Sequence, residues 1–232
     1  MVWIKICGMT NPADALAAAE AGADAIGMLF APSTRRISIE QGREIARALP
    51  PQVEKVGLFY DEAASTIEAI AEDVGLTAVQ LHGDEPPDFV AGLFRGNGRR
   101  SQVRVFKTIH IADDAAPDVG PYLRGDLVDA FLLDTVVKDP ITGVVSRGGT
   151  GRTFDWSRHV PLLEQLAARA RVIVAGGLSP VNVGDAVRIM HPWGVDVCSG
   201  VEREPGKKDV GKVREFVAAA RATPRWGGAG RA

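Results

Sequence analysis

The sequence predicts a single (β/α)8 barrel, the fold also called a TIM barrel, and three features predict it. Eight short apolar runs read as strands, amphipathic stretches fill the gaps between them, and glycines stand where helix gives way to strand. A chain of 232 residues accommodates one barrel core without a second domain. Hydrophobic residues at 46% and charged residues at 24% place it among folded globular chains.

The first strand-like run is Val2 to Cys7, followed by an alanine-rich helical stretch from Pro12 to Ala21 with proline at the first helical position. Further strands are expected at Ala25 to Phe30, Glu54 to Phe59, Ala78 to Leu81, Val103 to Thr108, Ala130 to Leu133, Val172 to Ala175 and Val195 to Cys198. Ser38 to Gln41 has capping-box spacing ahead of Ile45, Ala46 and Leu49. Gly22, Gly75 and Gly194 follow helical stretches, where a left-handed residue ends a helix without steric cost. An open doubly wound sheet also buries parallel strands under helices. Eight units favour closure, and Cys7, Gly8, Met9 and Thr10 stand where a nucleotide-binding sheet carries G-x-G-x-x-G. The barrel is expected over 1–222, with 223–232 a flexible tail. Gly92 to Gln102 reads as a surface insertion. Asp134 to about Phe154, rich in proline and glycine, reads as a lid or binding loop.

A formal charge of -2 gives no reason to expect a nucleic acid or an anionic membrane as partner, and no apolar run approaches the roughly 20 residues of a membrane span. Two cysteines are too few for a disulfide framework, and no charged-then-apolar leader opens the chain, so a cytoplasmic protein acting on a small molecule is expected. Monomer and homodimer are both compatible with the sequence.

A barrel's chemistry is built at the C-terminal ends of its strands, where Cys7, His82, Asp134 and Asp196 stand. By the period of two, Lys5 and Cys7 share the inner face of the first strand, while Ile4 and Ile6 pack outwards. Buried cysteine is usually a small hydrophobe, but a stabilised thiolate at a strand end can serve as a base. Asp134 is either a turn cap or, desolvated in a closed mouth, a general acid. His82 either orients substrate or satisfies a loop carbonyl. Gly176 and Gly177 follow the seventh strand and Ser199 and Gly200 the eighth, the pair of loops on which barrels commonly hold phosphate. Arg35 and Arg36 are surface arginines or a carboxylate clamp.

The motifs KICGMT (Lys5 to Thr10), TRRIS (Thr34 to Ser38), VGLF (Val56 to Phe59), VQLHG (Val79 to Gly83), LLDT (Leu132 to Thr135), GGTGRTFDW (Gly148 to Trp156), AGGL (Ala175 to Leu178) and VDVCSGVE (Val195 to Glu202) run through the chain in order. Together they resemble the phosphoribosylanthranilate isomerases of tryptophan biosynthesis. The resemblance implies an Amadori rearrangement of N-(5-phosphoribosyl)anthranilate to 1-(2-carboxyphenylamino)-1-deoxyribulose 5-phosphate, with no metal and no organic cofactor. It implies Asp134 as general acid and Cys7 as general base, with Arg36 near the anthranilate carboxylate. Gly176, Gly177, Ser199 and Gly200 would hold phosphate, and His82 and Asp196 would line the mouth. One departure is Cys198, where the family pattern has serine. Closure would bring Cys7 and Cys198 near one another, and a disulfide there, given Cα atoms within roughly 7 Å, would silence the base. Two other readings compete: the related phosphosugar isomerase of histidine biosynthesis, which uses two aspartates, and a phosphate-binding barrel without catalysis.

Overall fold

Alternation in the first strand sets the pattern for the whole chain. In β1 (Trp3–Ile6), Ile4 and Ile6 are buried in the layer beneath the helices, while Lys5 turns into the barrel. The computed structural model describes residues 1–94, 102–111, 117–125, 127–138, 145–147 and 153–223, with backbone alone at 136–138 and 145–147. Seven more barrel strands follow: β2 (Ala25–Leu29), β3 (Glu54–Phe59), β4 (Ala78–Leu81), β5 (Arg104–Ile111), β6 (Ala130–Lys138), β7 (Arg171–Val174) and β8 (Gly194–Val197). All pair in parallel, β1 with β2 and β8, and β6 with both β7 and β5, so the sheet closes as expected.

The lower half of the barrel is plugged. Trp3, Val56, Phe106, Leu132 and Ile173 interdigitate with inward-facing alanines, large against small. The Trp3 ring stacks on Trp193 at 4.8 Å and meets Phe106 edge-on at 6.1 Å. Each such large apolar side chain contributes roughly 1.5–3 kcal/mol by leaving water. Polar inward residues are thereby confined to the upper, C-terminal rim.

The helices start and stop largely where the sequence predicts. Asn11 caps α1 (Pro12–Glu20) by accepting from Asp14 N–H. Ser38 and Gln41 form both halves of a capping box at α2 (Ile39–Ala48). Gly75 ends α3 (Ala64–Val74) at φ 74°, and Gly22 follows α1 at φ 100°. Gly194 behaves differently: it opens β8, and His191 at φ 47° takes the left-handed place after α6 (Val183–Met190). Glycine is needed at 194 because a Cβ there would lie 2.8 Å from the Trp3 ring. The remaining helices are α4 (Pro87–Gly92), α5 (Trp156–Ala167) and α7 (Val210–Ala222).

Three expectations need correction. Between β5 and β6 the described residues contain only a 3-10 turn, Gly120–Leu123, because Pro117, Gly120, Pro121 and Gly125 crowd that segment with helix breakers. β6 does not stop at Leu133; Thr135, Val136 and Val137 are β-branched and carry it to Lys138, against an antiparallel Val145–Arg147. The segment expected as a surface insertion begins inside the core, with Leu93 and Phe94 buried, while 95–101 lie outside the described residues. So do 139–144 and 148–152 of the expected lid loop and 224–232 of the expected tail. Among the described residues, no helix is long and apolar enough to cross a membrane.

Candidate active site

Cys7 stands one residue beyond β1, and its N–H donates to Val197 O at 2.8 Å, which seats it beside the end of β8. Its sulfur has room because Gly27 lies next to it in β2. A Cβ on Gly27 would come within 2.7 Å of Cys7 Sγ and 3.0 Å of Lys5 Cε. The chain carries a signal for this contact, since glycine inside a strand often marks a close approach.

The register of β1 against β8 places Lys5 opposite Asp196. Lys5 Nζ donates to Asp196 Oδ1 at 2.9 Å and to Gln80 Oε1 at 2.8 Å. Burial works against the Lys5 charge, but Asp196 and then Cys7 favour it, and its pKa moves up. Because Lys5 claims the Gln80 carbonyl oxygen, the Gln80 amide must present Nε2 on its other side. That group donates to Thr108 Oγ1 at 3.2 Å. The Thr108 hydroxyl is then free to donate to His82 Nδ1, 3.1 Å away. The His82 proton accordingly belongs on Nε2, which faces Asp134 Oδ2 at 3.8 Å. A polar chain from Asp196 through Lys5, Gln80 and His82 thus half-encircles the mouth and ends at Asp134.

These groups open onto a cavity of about 460 Å³ whose walls include Cys7, Tyr60, Gln80, His82, Asp134, Asp196, Cys198 and Arg35, a volume suited to a small ligand. Two of its groups have acid strengths displaced toward each other. The Cys7 thiol, held by a hydrogen bond to Cys198 and by Lys5 against the cost of burial, falls from 9.0 to about 7. The Asp134 carboxyl rises from 3.8 to about 7, first through desolvation and then through the nearby Asp196 charge. Asp134 Oδ1 still accepts from Thr135 N–H at 2.8 Å, which fixes the carboxyl without removing its proton.

The predicted residues do not all converge. Cys7, His82, Asp134 and Asp196 do. Arg36 does not: its side chain is exposed and lines no part of the cavity, whereas Arg35 does line it. Arg35 lies in the turn that the Arg36 N–H closes on Ser33 O, and from that turn its side chain reaches the cavity, while Arg36 bridges to Leu29 with its side chain exposed. Arg35 grips Glu202 at two points, 2.8 Å and 2.7 Å.

Adjoining the main cavity, a small hollow is lined by Gly176, Gly177, Asp196, Cys198 and Ser199. Gly176 and Gly177 take φ of 79° and 63°, as a tight turn of two glycines permits. Gly200 is pressed against the neighbouring loop, where a Cβ would lie 2.0 Å from Leu178 O. Among the described residues, the N–H groups of Gly176 and Gly177, which lie outside helix and strand, meet no backbone acceptor. Bare backbone donors at this rim invite an anion.

The family model for N-(5'phosphoribosyl)anthranilate (PRA) isomerase matches residues 4–219. An N-(5'-phosphoribosyl)anthranilate isomerase of Pelobacter propionicus is 43% identical over 96% of this chain and 97% of its own length. The chain belongs to the phosphoribosylanthranilate isomerase family. The crystal structure of the isomerase from Thermotoga maritima superposes with a TM-score of 0.80 at 39% identity, covering 95% of this chain and 99% of that one. Another phosphoribosylanthranilate isomerase, solved with reduced 1-(o-carboxyphenylamino)-1-deoxyribulose 5-phosphate, has a TM-score of 0.78 at 36% identity, over 95% and 99% of the two chains. For a member of this family, the sequence alone does not single out Lys5, Gln80 and Thr108 as parts of the site. Alternation supplies the clue, because all three are polar residues on inward-facing positions.

Proposed function

We propose that the chain catalyses the Amadori rearrangement of N-(5-phosphoribosyl)anthranilate to 1-(2-carboxyphenylamino)-1-deoxyribulose 5-phosphate in the cytoplasm. The observation that carries the mechanism is the thiol and carboxyl on one cavity, each brought to a pKa of about 7. The reaction needs one group that starts protonated and one that starts ionised. Asp134 gives its proton to the furanose ring oxygen, and the ring opens to a cationic Schiff base. That cation acidifies the C2′ proton, which the Cys7 thiolate removes, and the resulting enolamine tautomerises to the ketone. His82, with its N–H toward Asp134, steadies the carboxylate that remains after donation. Asp196 keeps Lys5 charged below the thiolate. Arg35, rather than Arg36, is the arginine placed to meet the anthranilate carboxylate.

In this reading phosphate occupies the hollow lined by Gly176, Gly177 and Ser199, with Gly200 packed beside it against Leu178. Gly200→Ala forces the two loops apart and is expected to raise KM at least about tenfold, the effect of losing one hydrogen bond to a charged group. Steady-state kinetics of the variant beside the wild type check it, and an unchanged KM removes the phosphate from this hollow.

The deciding experiment supplies freshly generated phosphoribosylanthranilate and follows loss of its fluorescence. Turnover by the wild type, absent in a Cys7 variant, is expected. Its kcat/KM should trace a bell centred near pH 7, falling on the acid side as the thiolate is protonated and on the alkaline side as Asp134 loses its proton. No turnover of this substrate at any pH defeats the proposal.

A further inference from the structure

We propose that Cys198 is a positioning residue for the base: its thiol donates a hydrogen bond to the Cys7 sulfur and holds it as a thiolate facing the cavity. This rests on the reading of Cys7 as the base.

The placement follows from barrel closure. The Cys7 N–H bonds Val197 O at 2.8 Å, so the residues ending β1 and β8 lie side by side. Both sulfurs line the same cavity, and both cysteines are free thiols. A Cβ on Gly8 would lie 2.7 Å from Cys198 Sγ, which puts that sulfur directly over the backbone that follows Cys7. Cys198 is anchored on its far side by the hairpin Glu202–Glu204 with Lys207–Lys208. Lys208 Nζ donates to Cys198 O at 3.1 Å, sits 3.9 Å from Cys198 Sγ, and donates to Glu202 Oε1 at 2.9 Å. Arg35 completes the brace by gripping the same carboxylate.

In this reading the pair carries one negative charge, and charged groups from five parts of the chain surround it. Lys5 from β1, Asp196 from β8, Asp134 from β6, Arg35 after β2 and Lys208 from the hairpin all face it. Lys5 is paired with Asp196 beneath Cys7, and Arg35 and Lys208 share the Glu202 carboxylate beside Cys198. The mutual hydrogen bond is the largest influence on both thiols: it draws Cys7 down and, with burial, pushes Cys198 up. With Cys7 as the base, the remaining proton of the pair sits on Cys198, which acts as donor. A serine at 198 can make the same donation, and an alanine cannot.

The test is the pH dependence of iodoacetamide alkylation at Cys7, resolved by peptide mass spectrometry on the full chain. The wild type should show a midpoint near pH 7. Cys198→Ser should keep that midpoint to within about 0.5 in pH, and Cys198→Ala should raise it by at least about 1, towards the ordinary thiol value of roughly 8.5. The kcat/KM of Cys198→Ala at pH 6 should fall about tenfold in step, as the thiolate fraction does. An unmoved midpoint in Cys198→Ala overturns the proposal, as does a change in Cys198→Ser as large as in the alanine variant. A raised midpoint with undiminished turnover instead strikes the reading of Cys7 as the base and leaves the hydrogen bond standing.

Discussion

Replacing Asp134 with asparagine should cut kcat at least about a hundredfold while making the protein more heat-stable at pH 8. The loss follows from removing the proton donor, whose usual contribution is of that size. The gain follows from the raised pKa. Desolvation holds the folded carboxyl at about 7, against 3.8 for the free group, so between those values the folded chain keeps a proton that the unfolded chain releases. Stability is therefore lost progressively as pH rises from about 4 to about 7, by at most about 1.4 kcal/mol for each tenfold fall in proton concentration. Asparagine carries no charge, keeps an oxygen for the Thr135 N–H, and escapes that loss. Melting curves of the two proteins should differ by several degrees at pH 8 and converge near pH 4. Equal melting temperatures at pH 8 would show that Asp134 is not held protonated, whatever happens to its rate.

A comparable loss is expected for Cys7→Ser, with at least a roughly hundredfold lower kcat across pH 6 to 9, because a hydroxyl of nearly the same shape cannot ionise in this range. Its KM should stay near that of the wild type. The proposed contacts to phosphate and carboxylate, at the glycine turns and Arg35, are left untouched by the change. Stopped-flow binding of the reduced product analogue gives the affinity without turnover. A serine variant with near-normal kcat would transfer the role of base to another group in the cavity.

Much of this arrangement is legible in the chain. Ile4, Lys5, Ile6 and Cys7 announce their faces by simple alternation, and closure then requires β1 to meet β8. The glycines after the last two strands, Gly176 and Gly177 and then Gly200, stand out because bare backbone is what a phosphate site would need. Other features are hidden for identifiable reasons. Asp134 looks like the end of a strand because a charge usually leaves the sheet, yet the β-branched residues after it prolong β6. Arg35 and Arg36 are chemically identical, and the turn closed on Ser33 decides which one reaches the cavity. Gln80 looks like an ordinary polar residue until the ammonium of Lys5, 75 positions away in the chain, fixes its amide. Spacing can show which face a residue shares, but not which partner arrives from the far end of the sequence.

The bond from the Cys7 N–H to Val197 O also bears on how the enzyme is born. The ribosome releases the segment carrying the base well before the strand that seats it. Until that strand and the hairpin after it are made, the thiol has neither its companion strand nor the brace from Lys208. A product cut short before Gly194 is therefore not a sluggish isomerase but an inert one, so premature termination yields no half-working catalyst to act on a reactive aminosugar.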